Sequence, residues 1–272
     1  MNNYFVIGNP IDHSLSPSIH NYWFKKYEIN GTYEKIKLET KDLKSFTEEM
    51  RDKGNIKGAN VTVPFKNKII PFLDELSPIS KKTFSVNTIV KKDKKLIGHN
   101  TDAIAFCKTL EDNYSSLAHT SFIIGAGGVT PSIIWGIKEL KNSDKIYITN
   151  RTKEKAIELA KNMNENLMSR SIEVLDWGEI PDASLVINTT SLGLKENDNI
   201  ELNFKKYQNK KSCMFYDLIY NPKETNFLSD AKKRGNYTMN GKMMFLLQAK
   251  HAFNLWTNLD VKIDDEVLKI VD

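Results

Sequence analysis

The feature that most constrains the fold of this 272-residue chain is a strand, a glycine-rich turn, a helix and a second strand in direct succession. An apolar run at residues 121–124 leads into Gly125-Ala126-Gly127-Gly128, and a helical pattern follows over residues 131–140. A second apolar run occupies residues 145–148. This order predicts a βαβ unit, in which a helix joins two parallel strands.

The glycine-rich turn predicts a nucleotide site. Backbone N–H groups of a turn that opens a helix can approach a pyrophosphate held at the positive end of that helix. Thr130 stands where the third glycine of the G-x-G-x-x-G pattern belongs, whereas Pro131 suits a first helical turn. A plain tight turn is the alternative interpretation. The candidate dinucleotide-binding residues are Gly125, Ala126, Gly127, Gly128 and Val129.

The end of the second strand indicates which dinucleotide binds. An NAD site places Asp or Glu there for the ribose 2′-hydroxyl, but this chain has Asn150, Arg151 and Thr152, followed by Lys153 and Lys155. A guanidinium can donate two parallel hydrogen bonds to a 2′-phosphate and can stack beside adenine. We therefore predict NADP as the cofactor. The alternative is that Arg151 is a solvated loop residue.

A polar strand at residues 58–66 predicts a substrate site. Alternation would bury Val61, Val63 and Phe65 and would place Asn60 and Thr62 together on the other face. Pro64 has no N–H to donate and should end the strand, which leaves Lys66 just beyond it. An ordinary amphipathic edge strand with a solvated lysine is the alternative.

Further polar side chains occur where a pocket would need them. The loop after the first strand carries Ser14 and Ser16, Asn87 interrupts a β-branched strand, and Asp102 stands at the start of a helix. Helix capping is a sufficient alternative explanation for Ser16 and Asp102. Gln248 lies in the most apolar helix of the chain, where a buried amide needs partners that a ligand can supply.

Composition predicts an ordinary globular protein of the cytoplasm. With 40% hydrophobic residues the chain can bury one large or two ordinary cores. The formal net charge of +5 comes from lysines scattered among acidic residues, so we expect no nucleic-acid partner. No apolar run approaches about 18 residues, so we expect no membrane partner. The two cysteines and five histidines lack ligand spacing, so we expect no metal.

The motifs together resemble those of the shikimate dehydrogenase family, and the match runs nearly from end to end. They are His13-Ser14-Leu15-Ser16-Pro17 with His20-Asn21, residues 58–66, Val86-Asn87-Thr88, residues 98–102, residues 125–128, Asn150-Arg151-Thr152, residues 216–222, and Gly241 through Gln248 to Phe253. Their joint occurrence is far more specific than any one of them.

The resemblance implies reversible, NADPH-dependent reduction of 3-dehydroshikimate to shikimate in aromatic amino acid (chorismate) biosynthesis. By resemblance, Lys66 and Asp102 would form the catalytic pair. The substrate-binding residues would be Ser14, Ser16 and Tyr220 for the carboxylate, and Asn60, Thr62, Asn87 and Gln248, with Asp102, for the hydroxyls. Thr190 and Gly241 would join the cofactor-binding residues named above.

The resemblance also implies an α/β fold of two domains with the active-site cleft between them. An α/β substrate-binding domain would contain residues 1–101 and be completed by the C-terminal helices at 238–272. A Rossmann-like domain with a doubly wound parallel sheet would contain residues 102–237 and bind NADP. The expected partner is a small-molecule substrate, and the expected state is a monomer or a homodimer.

Two positions depart from the family's pattern. Pro131 stands where many members carry a basic residue, and Met243 replaces a common glycine beside the expected nicotinamide, so cofactor affinity and nicotinamide placement are the least secure transfers. Ser16 favours shikimate over quinate, because quinate-using relatives tend to carry Thr there. Two alternatives stay open: a quinate-preferring or broad-range dehydrogenase, and a non-catalytic dinucleotide-binding regulator.

Overall fold

The chain forms two compact units. The structure, a computed structural model, describes residues 1–113, 120–140, 145–168, 171–195 and 197–272. The first unit contains Met1–Ala105 and Leu246–Asp272, and the second contains Phe106–Phe245. These boundaries fall four and eight residues after the predicted ones at 101 and 237, because each lies inside a helix. The assignment of a substrate domain and an NADP domain stays a prediction.

The first unit alternates strands and helices. Its elements are β1 (Asn2–Gly8), α1 (Ser16–Lys26), β2 (Gly31–Lys37), α2 (Leu43–Asp52), β3 (Ile56–Val61), β4 (Glu75–Leu76), α3 (Pro78–Thr83), β5 (Thr88–Lys92), β6 (Lys95–His99) and the start of α4 (Thr101–Asn113). The six strands form one mixed sheet in the order β2-β1-β3-β5-β6-β4, with β1 parallel to both of its neighbours and β5 antiparallel to both.

The core of the first unit shows why its elements form. Leu43, Phe46 and Met50 recur at helical spacing along α2, so they share one face, and all three are buried. They belong to one apolar cluster with Ile7 of β1 and Val61 of β3. The helix therefore covers the sheet just where β1 and β3 run side by side.

The second unit is built on a parallel sheet. Its elements are β7 (Thr120–Ile124), α5 (Thr130–Glu139), β8 (Lys145–Thr149), α6 (Lys153–Asn166), β9 (Ile172–Val174), β10 (Leu185–Asn188), β11 (Met214–Asp217), α7 (Asn226–Lys233), β12 (Tyr237–Met239) and the start of α8 (Lys242–Thr257). The rest of α8 and α9 (Asp265–Ile270) belong to the first unit.

The strand order of the second unit is β12-β11-β10-β7-β8-β9, and every pair in it is parallel. This is the doubly wound order in which the chain starts at the middle of the sheet and reverses direction once. All four residues of β10 are buried, as expected for a strand covered by helices on both faces. The predicted α/β fold class with a Rossmann-like parallel sheet is therefore confirmed.

Two local predictions are wrong. Val63 is 58% exposed, because the strand ends at Val61 and the chain turns there, with Phe65 N donating to the Thr62 carbonyl at 2.9 Å. Asn87 does not lie within a strand, since β5 begins at Thr88 after a bend.

Among the described residues, no helix combines the length and the apolar character needed to cross a bilayer.

Candidate active site

A buried ion pair joins the loop after β3 to the first turn of α4. Lys66 Nζ lies 2.6 Å from Asp102 Oδ2, and the exposed fractions of the two side chains are 11% and 9%. The Lys66 carbonyl accepts the N–H of Val86 at 2.8 Å, which fixes the backbone that carries the ammonium. With so little water around the pair, each charge depends on the other.

Asn100, and not Asp102, caps α4. Its Oδ1 accepts the N–H of Ala103 at 3.1 Å, so the capping explanation for Asp102 is wrong. The Asp102 carboxylate is directed at Lys66 instead. A carboxylate in the first turn is also favoured by the positive end of the helix.

Two predicted substrate-binding amides lie next to each other in the first unit. Asn87 Nδ2 lies 3.5 Å from Gln248 Oε1, although 161 residues separate them in the chain. Thr101 fixes the Asn87 amide, because its N–H donates to Asn87 Oδ1 at 2.7 Å and its Oγ1 accepts from Asn87 Nδ2 at 2.9 Å. Thr101 directly precedes Asp102, so these contacts tie both amides to the ion pair.

The hydroxyl groups of Ser14, Ser16 and Thr62 follow the carboxyl ends of two neighbouring strands. Ser14 and Ser16 follow β1, and Thr62 follows β3, which pairs with β1 in parallel. Thr62 N donates to the carbonyl of Ile7 at 2.9 Å, so the two strand ends stay side by side. Ser16 is the first residue of α1, and Leu15 is the N-cap without a side-chain bond, so the capping explanation for Ser16 is wrong. Ser14 Oγ accepts the N–H of Ser16 at 3.3 Å.

The glycine-rich turn of the second unit begins with a residue that requires glycine. Gly125 has a φ of +113°, and a Cβ there would lie 2.6 Å from Thr189 Oγ1. A Cβ at Gly127 would meet no described atom within 4 Å, so open space faces the turn. Within the described part of the chain, Val129 at the N-cap of α5 provides no side-chain bond to the first N–H groups. These N–H groups are the donors that a phosphate would use.

Thr130 compensates for the missing third glycine. Its hydroxyl lies 3.2 Å from the Gly125 carbonyl and 2.9 Å from Thr189 Oγ1, and the residue is fully buried. Thr189 Oγ1 in turn donates to the Ile124 carbonyl at 2.9 Å. The two hydroxyls thus close the turn against the end of β7, which is the packing role that a third glycine otherwise allows.

The residues after β8 differ in whether their side chains are already bonded within the second unit. Asn150 Oδ1 accepts the N–H of Ala126 at 3.2 Å, and its Nδ2 donates to the carbonyl of Thr152 at 2.8 Å. Lys153 is paired with Asp176. Arg151 is exposed, and its side chain makes no hydrogen bond or ion pair with the described residues. Of these groups, Arg151 is the one available to a phosphate.

The remaining predicted residues of the second unit lie in loops after β10 and β11 or at the start of α8. Thr190 Oγ1 donates to Asn188 Oδ1 at 2.7 Å. Tyr220 stacks on Phe245, with ring centroids 4.1 Å apart. Gly241 is required for packing, because a Cβ there would lie 2.0 Å from the Leu218 carbonyl oxygen.

A buried carboxylate holds two of these loops. Asp217 accepts from Asn188 Nδ2 at 3.0 Å and from Thr225 Oγ1 at 2.6 Å, and it is fully buried. Burial raises the pKa of Asp217 to about 6, although these hydrogen bonds and one from Ile219 N–H oppose the rise. Asn188 also binds Thr190, so Asp217 positions the loop after β10.

Sequence reasoning missed several residues of the site. Tyr33 and Thr101 contact the predicted Asn60 and Asn87, whereas Asn100 caps α4 and Asp217 binds Asn188. Asn100, Thr101 and Asp217 lie within the motifs at residues 98–102 and 216–222, but the motifs alone indicate no role for these side chains. Tyr33 lies outside every motif, and the structure alone shows that it is the one buried residue of β2.

The fold and these side chains define a two-unit α/β protein with a dinucleotide-type βαβ unit and a buried Lys–Asp pair. The family profile described as the shikimate dehydrogenase substrate binding domain matches residues 6–89. A relative from Pelagibacter ubique, named shikimate dehydrogenase (NADP(+)), is 49% identical over 99% of this chain and 98% of its own length. The chain therefore belongs to the shikimate dehydrogenase family, which confirms the resemblance found in the sequence.

Solved structures give the same assignment. A shikimate dehydrogenase in complex with NADP+ superposes with a TM-score of 0.87 at 33% identity, over 100% of this chain and 94% of its own. The Thermus thermophilus enzyme in complex with NADP(H) and shikimate gives a TM-score of 0.82 at 28% identity, over 95% and 94% of the two chains.

Proposed function

We propose that this chain catalyses the reversible, NADPH-dependent reduction of 3-dehydroshikimate to shikimate in aromatic amino acid biosynthesis. The observation that carries the proposal is the buried Lys66–Asp102 pair, 2.6 Å apart, beside the amides of Asn87 and Gln248. The Pelagibacter relative is named for this reaction, and the Thermus structure contains both ligands. A non-catalytic regulator needs no proton donor, so the pair favours the enzyme over that alternative.

The chemistry follows from the two charged groups. NADPH, when bound, supplies a hydride to the ketone carbon of the substrate. Negative charge then develops on the ketone oxygen, and the Lys66 ammonium stabilises that charge and donates the proton. Asp102 holds the ammonium through a charge-assisted hydrogen bond and accepts from a neighbouring substrate hydroxyl. In the reverse direction the Lys66 amine takes the proton from the alcohol.

Besides the pair, the proposed substrate-binding residues would hold the rest of the substrate. Ser14 and Ser16, with Tyr220, suit a carboxylate because each hydroxyl can donate one hydrogen bond. Thr62, Asn87 and Gln248 suit ring hydroxyls, since hydroxyl and amide groups both donate and accept. Asn60 and Asn87 both have their amide ends bonded within the first unit, which fixes the orientation in which each would meet the substrate.

The residues of the second unit fit NADP. The turn from Gly125 to Val129 presents backbone N–H groups beside open space, and no acidic residue lies in the first turn of α5 to repel a pyrophosphate. Asn150 holds the turn from the side, and Arg151 offers a free guanidinium for the 2′-phosphate.

One assay tests the proposal. Purified protein is mixed with NADP and shikimate, and NADPH is followed by its absorbance, with quinate in place of shikimate as the control. We expect kcat/KM to be higher for shikimate than for quinate. A protein that binds both ligands in titration calorimetry without turnover is a regulator, and a higher kcat/KM for quinate makes it a quinate dehydrogenase.

Two further properties belong to the same proposal. We place the enzyme in the cytoplasm, where NADPH-dependent biosynthesis takes place, and we expect a monomer or a homodimer. Light scattering on the eluting peak of a gel-filtration column distinguishes the two states directly.

A further inference from the structure

The tyrosine proposed to bind the substrate carboxylate is stacked on a phenylalanine of α8. The ring centroids of Tyr220 and Phe245 lie 4.1 Å apart, with 12° between the two planes. Both residues belong to the second unit, and neither side chain is fully buried. One face of the Phe245 ring therefore covers one face of the Tyr220 ring in a nearly parallel stack.

Two hydrogen bonds fix the backbone on either side of Tyr220. The Ile219 carbonyl accepts the N–H of Gly241 at 2.9 Å, and Asn240 Nδ2 donates to the Lys223 carbonyl at 2.9 Å. These bonds hold the loop after β11 against the residues that lead into α8. The backbone thus sets where the tyrosine side chain begins, but it does not set the direction in which the ring points.

The stack with Phe245 supplies that direction. A tyrosine on a loop can occupy several staggered χ1 rotamers, and each of them carries the hydroxyl to a different place. Rotation of Tyr220 about χ1 would separate the two rings and lose the stabilisation of an aromatic pair. The hydride and proton transfers described above give Phe245 no task, and its ring carries no polar group to offer a substrate.

We propose that Phe245 is a positioning residue of the substrate site, which holds Tyr220 in the rotamer that presents its hydroxyl to the substrate carboxylate. This inference rests on the proposed function, in which Tyr220 binds that carboxylate. Without the stack, only a fraction of the free protein has the hydroxyl in place, and the apparent affinity falls by that fraction. The carboxylate keeps its charge from ground state to transition state, so the loss falls on KM rather than on kcat.

The test replaces Phe245 with and without an aromatic ring. Phe245→Leu keeps an apolar side chain but removes the flat face, whereas Phe245→Tyr keeps the ring. We expect Phe245→Leu to raise KM for shikimate about 2- to 12-fold, the contribution of one aromatic pair, with kcat and KM for NADP nearly unchanged. Phe245→Tyr should have the KM of wild type.

Phe204→Leu is the matched control, because it removes a ring from an aromatic pair elsewhere in the second unit. Phe204 packs edge-on against Phe215 in an apolar cluster, with centroids 5.5 Å apart. This variant should lower Tm and leave both KM values unchanged. A general loosening of the second unit would instead raise KM for shikimate in Phe204→Leu as well, which would contradict a role specific to Phe245.

A double variant shows whether Phe245 acts through Tyr220. Tyr220→Phe should itself raise KM for shikimate, because it removes the hydroxyl. In that background Phe245→Leu should add little, since no hydroxyl is left to position. A full, independent effect of Phe245→Leu in the double variant would overturn the proposal.

The remaining outcomes separate this inference from the proposed function. An active wild type whose KM for shikimate is not raised by Phe245→Leu overturns the positioning role, whatever the Tm, and so does a Phe245→Tyr variant as impaired as Phe245→Leu. An inactive wild type overturns the proposed function and this inference together. Where Phe245→Leu does not fold, Phe245→Met takes its place with the same expected and contrary results.

Discussion

The ammonium of Lys66 and the carboxylate of Asp102 lie 2.6 Å apart, although 36 residues separate them in the chain. Backbone contacts fix both ends of this pair. The Lys66 carbonyl is bonded to Val86, and Asn100 caps the helix whose first turn carries Asp102. The two charges therefore meet at a distance set by the fold, and the side chains need little adjustment before a proton moves.

Removing either charge should slow catalysis. We expect Lys66→Ala and Asp102→Ala each to lower kcat by about 10²- to 10⁴-fold, the usual loss of general acid–base help. Lys26→Ala is the control, since Lys26 forms an ion pair with Asp264 on the outer part of the first unit. Steady-state kinetics on folded variants give the answer. The double variant should lose much less than the product of the single losses, and near-normal kcat in both single variants would place the proton source elsewhere.

The serine loop should act on substrate affinity. Ser14→Ala and Ser16→Ala should raise KM for shikimate far more than they lower kcat, because a carboxylate keeps its charge from ground state to transition state. Ser14 also accepts the N–H of Ser16, so Ser14→Ala should cost some stability as well, about 0.5–1 kcal/mol. Either variant with an unchanged KM and a lower Tm has lost only a structural bond. KM values and thermal unfolding of the same samples separate the two effects.

Arg151 should set the preference for NADP. Its free guanidinium can donate charge-assisted hydrogen bonds to the 2′-phosphate of NADP, a group that NAD lacks. These bonds contribute about 1.5–3 kcal/mol, which is roughly a 10- to 150-fold preference for NADP. We expect Arg151→Ala to erase most of the difference between the KM values for NADP and NAD at fixed ionic strength. Lys153→Ala is the control, because Lys153 is already paired with Asp176, while Lys155 should keep a small, salt-sensitive remainder. Undiminished discrimination in Arg151→Ala would assign the phosphate to other groups.

His20 should make stability depend on pH. Burial lowers its pKa to about 3, against about 6.5 in an unfolded chain, and neither ring nitrogen has a hydrogen-bond partner among the described residues. Only the unfolded chain takes up this proton between about pH 6.5 and 3, so stability is lost as the pH falls through that window. From about pH 7 to 4.5, wild type should lose about 2–3 kcal/mol relative to His20→Phe in urea unfolding.

Two variants check the origin of that slope. Asp217 should have the opposite effect on stability. Its pKa is raised to about 6, so the folded protein takes up this proton at a higher pH than the unfolded chain, and stability rises as the pH falls below 6. Asp217→Asn should lose this gain. His20→Phe is the second variant, because it removes the imidazole whose pKa burial lowers. A wild-type profile parallel to that of His20→Phe would show that His20 is not the titrating group.

Elements with a strong local pattern could be predicted from the sequence. The run at residues 185–188 forms β10, because four consecutive apolar or small polar residues between turns suit a strand buried on both faces. The glycine turn was found because its strand, turn and helix are contiguous. Val63 was misplaced for the opposite reason: the turn that exposes it depends on the pairing of Thr62 with Ile7, 55 residues away in the chain.

Contacts between distant segments explain what the sequence did not reveal in the site. The bond between Tyr33 and Asn60 spans 27 residues, and nothing in the local pattern of β2 marks its tyrosine as a partner of a motif. Capping was equally ambiguous, since Asn100 and Asp102 both suit an N-cap, and only backbone geometry selects Asn100. Residue types predicted which catalytic and binding groups are present, whereas contacts between distant segments decide which other side chains hold those groups in position.

The first unit is assembled from both ends of the chain, and this has a consequence for synthesis. Phe253 and Trp256 pack against His20, and the Trp256 indole donates to the Ile89 carbonyl at 3.0 Å, so the N-terminal 105 residues lack these partners until α8 has been made. On the ribosome, all six strands of the first sheet emerge before the second unit, but the segment with Lys66 and Asp102 keeps an aromatic surface uncovered until α8 follows. The emerging N-terminal segment is therefore the part of the nascent protein with most need of a chaperone.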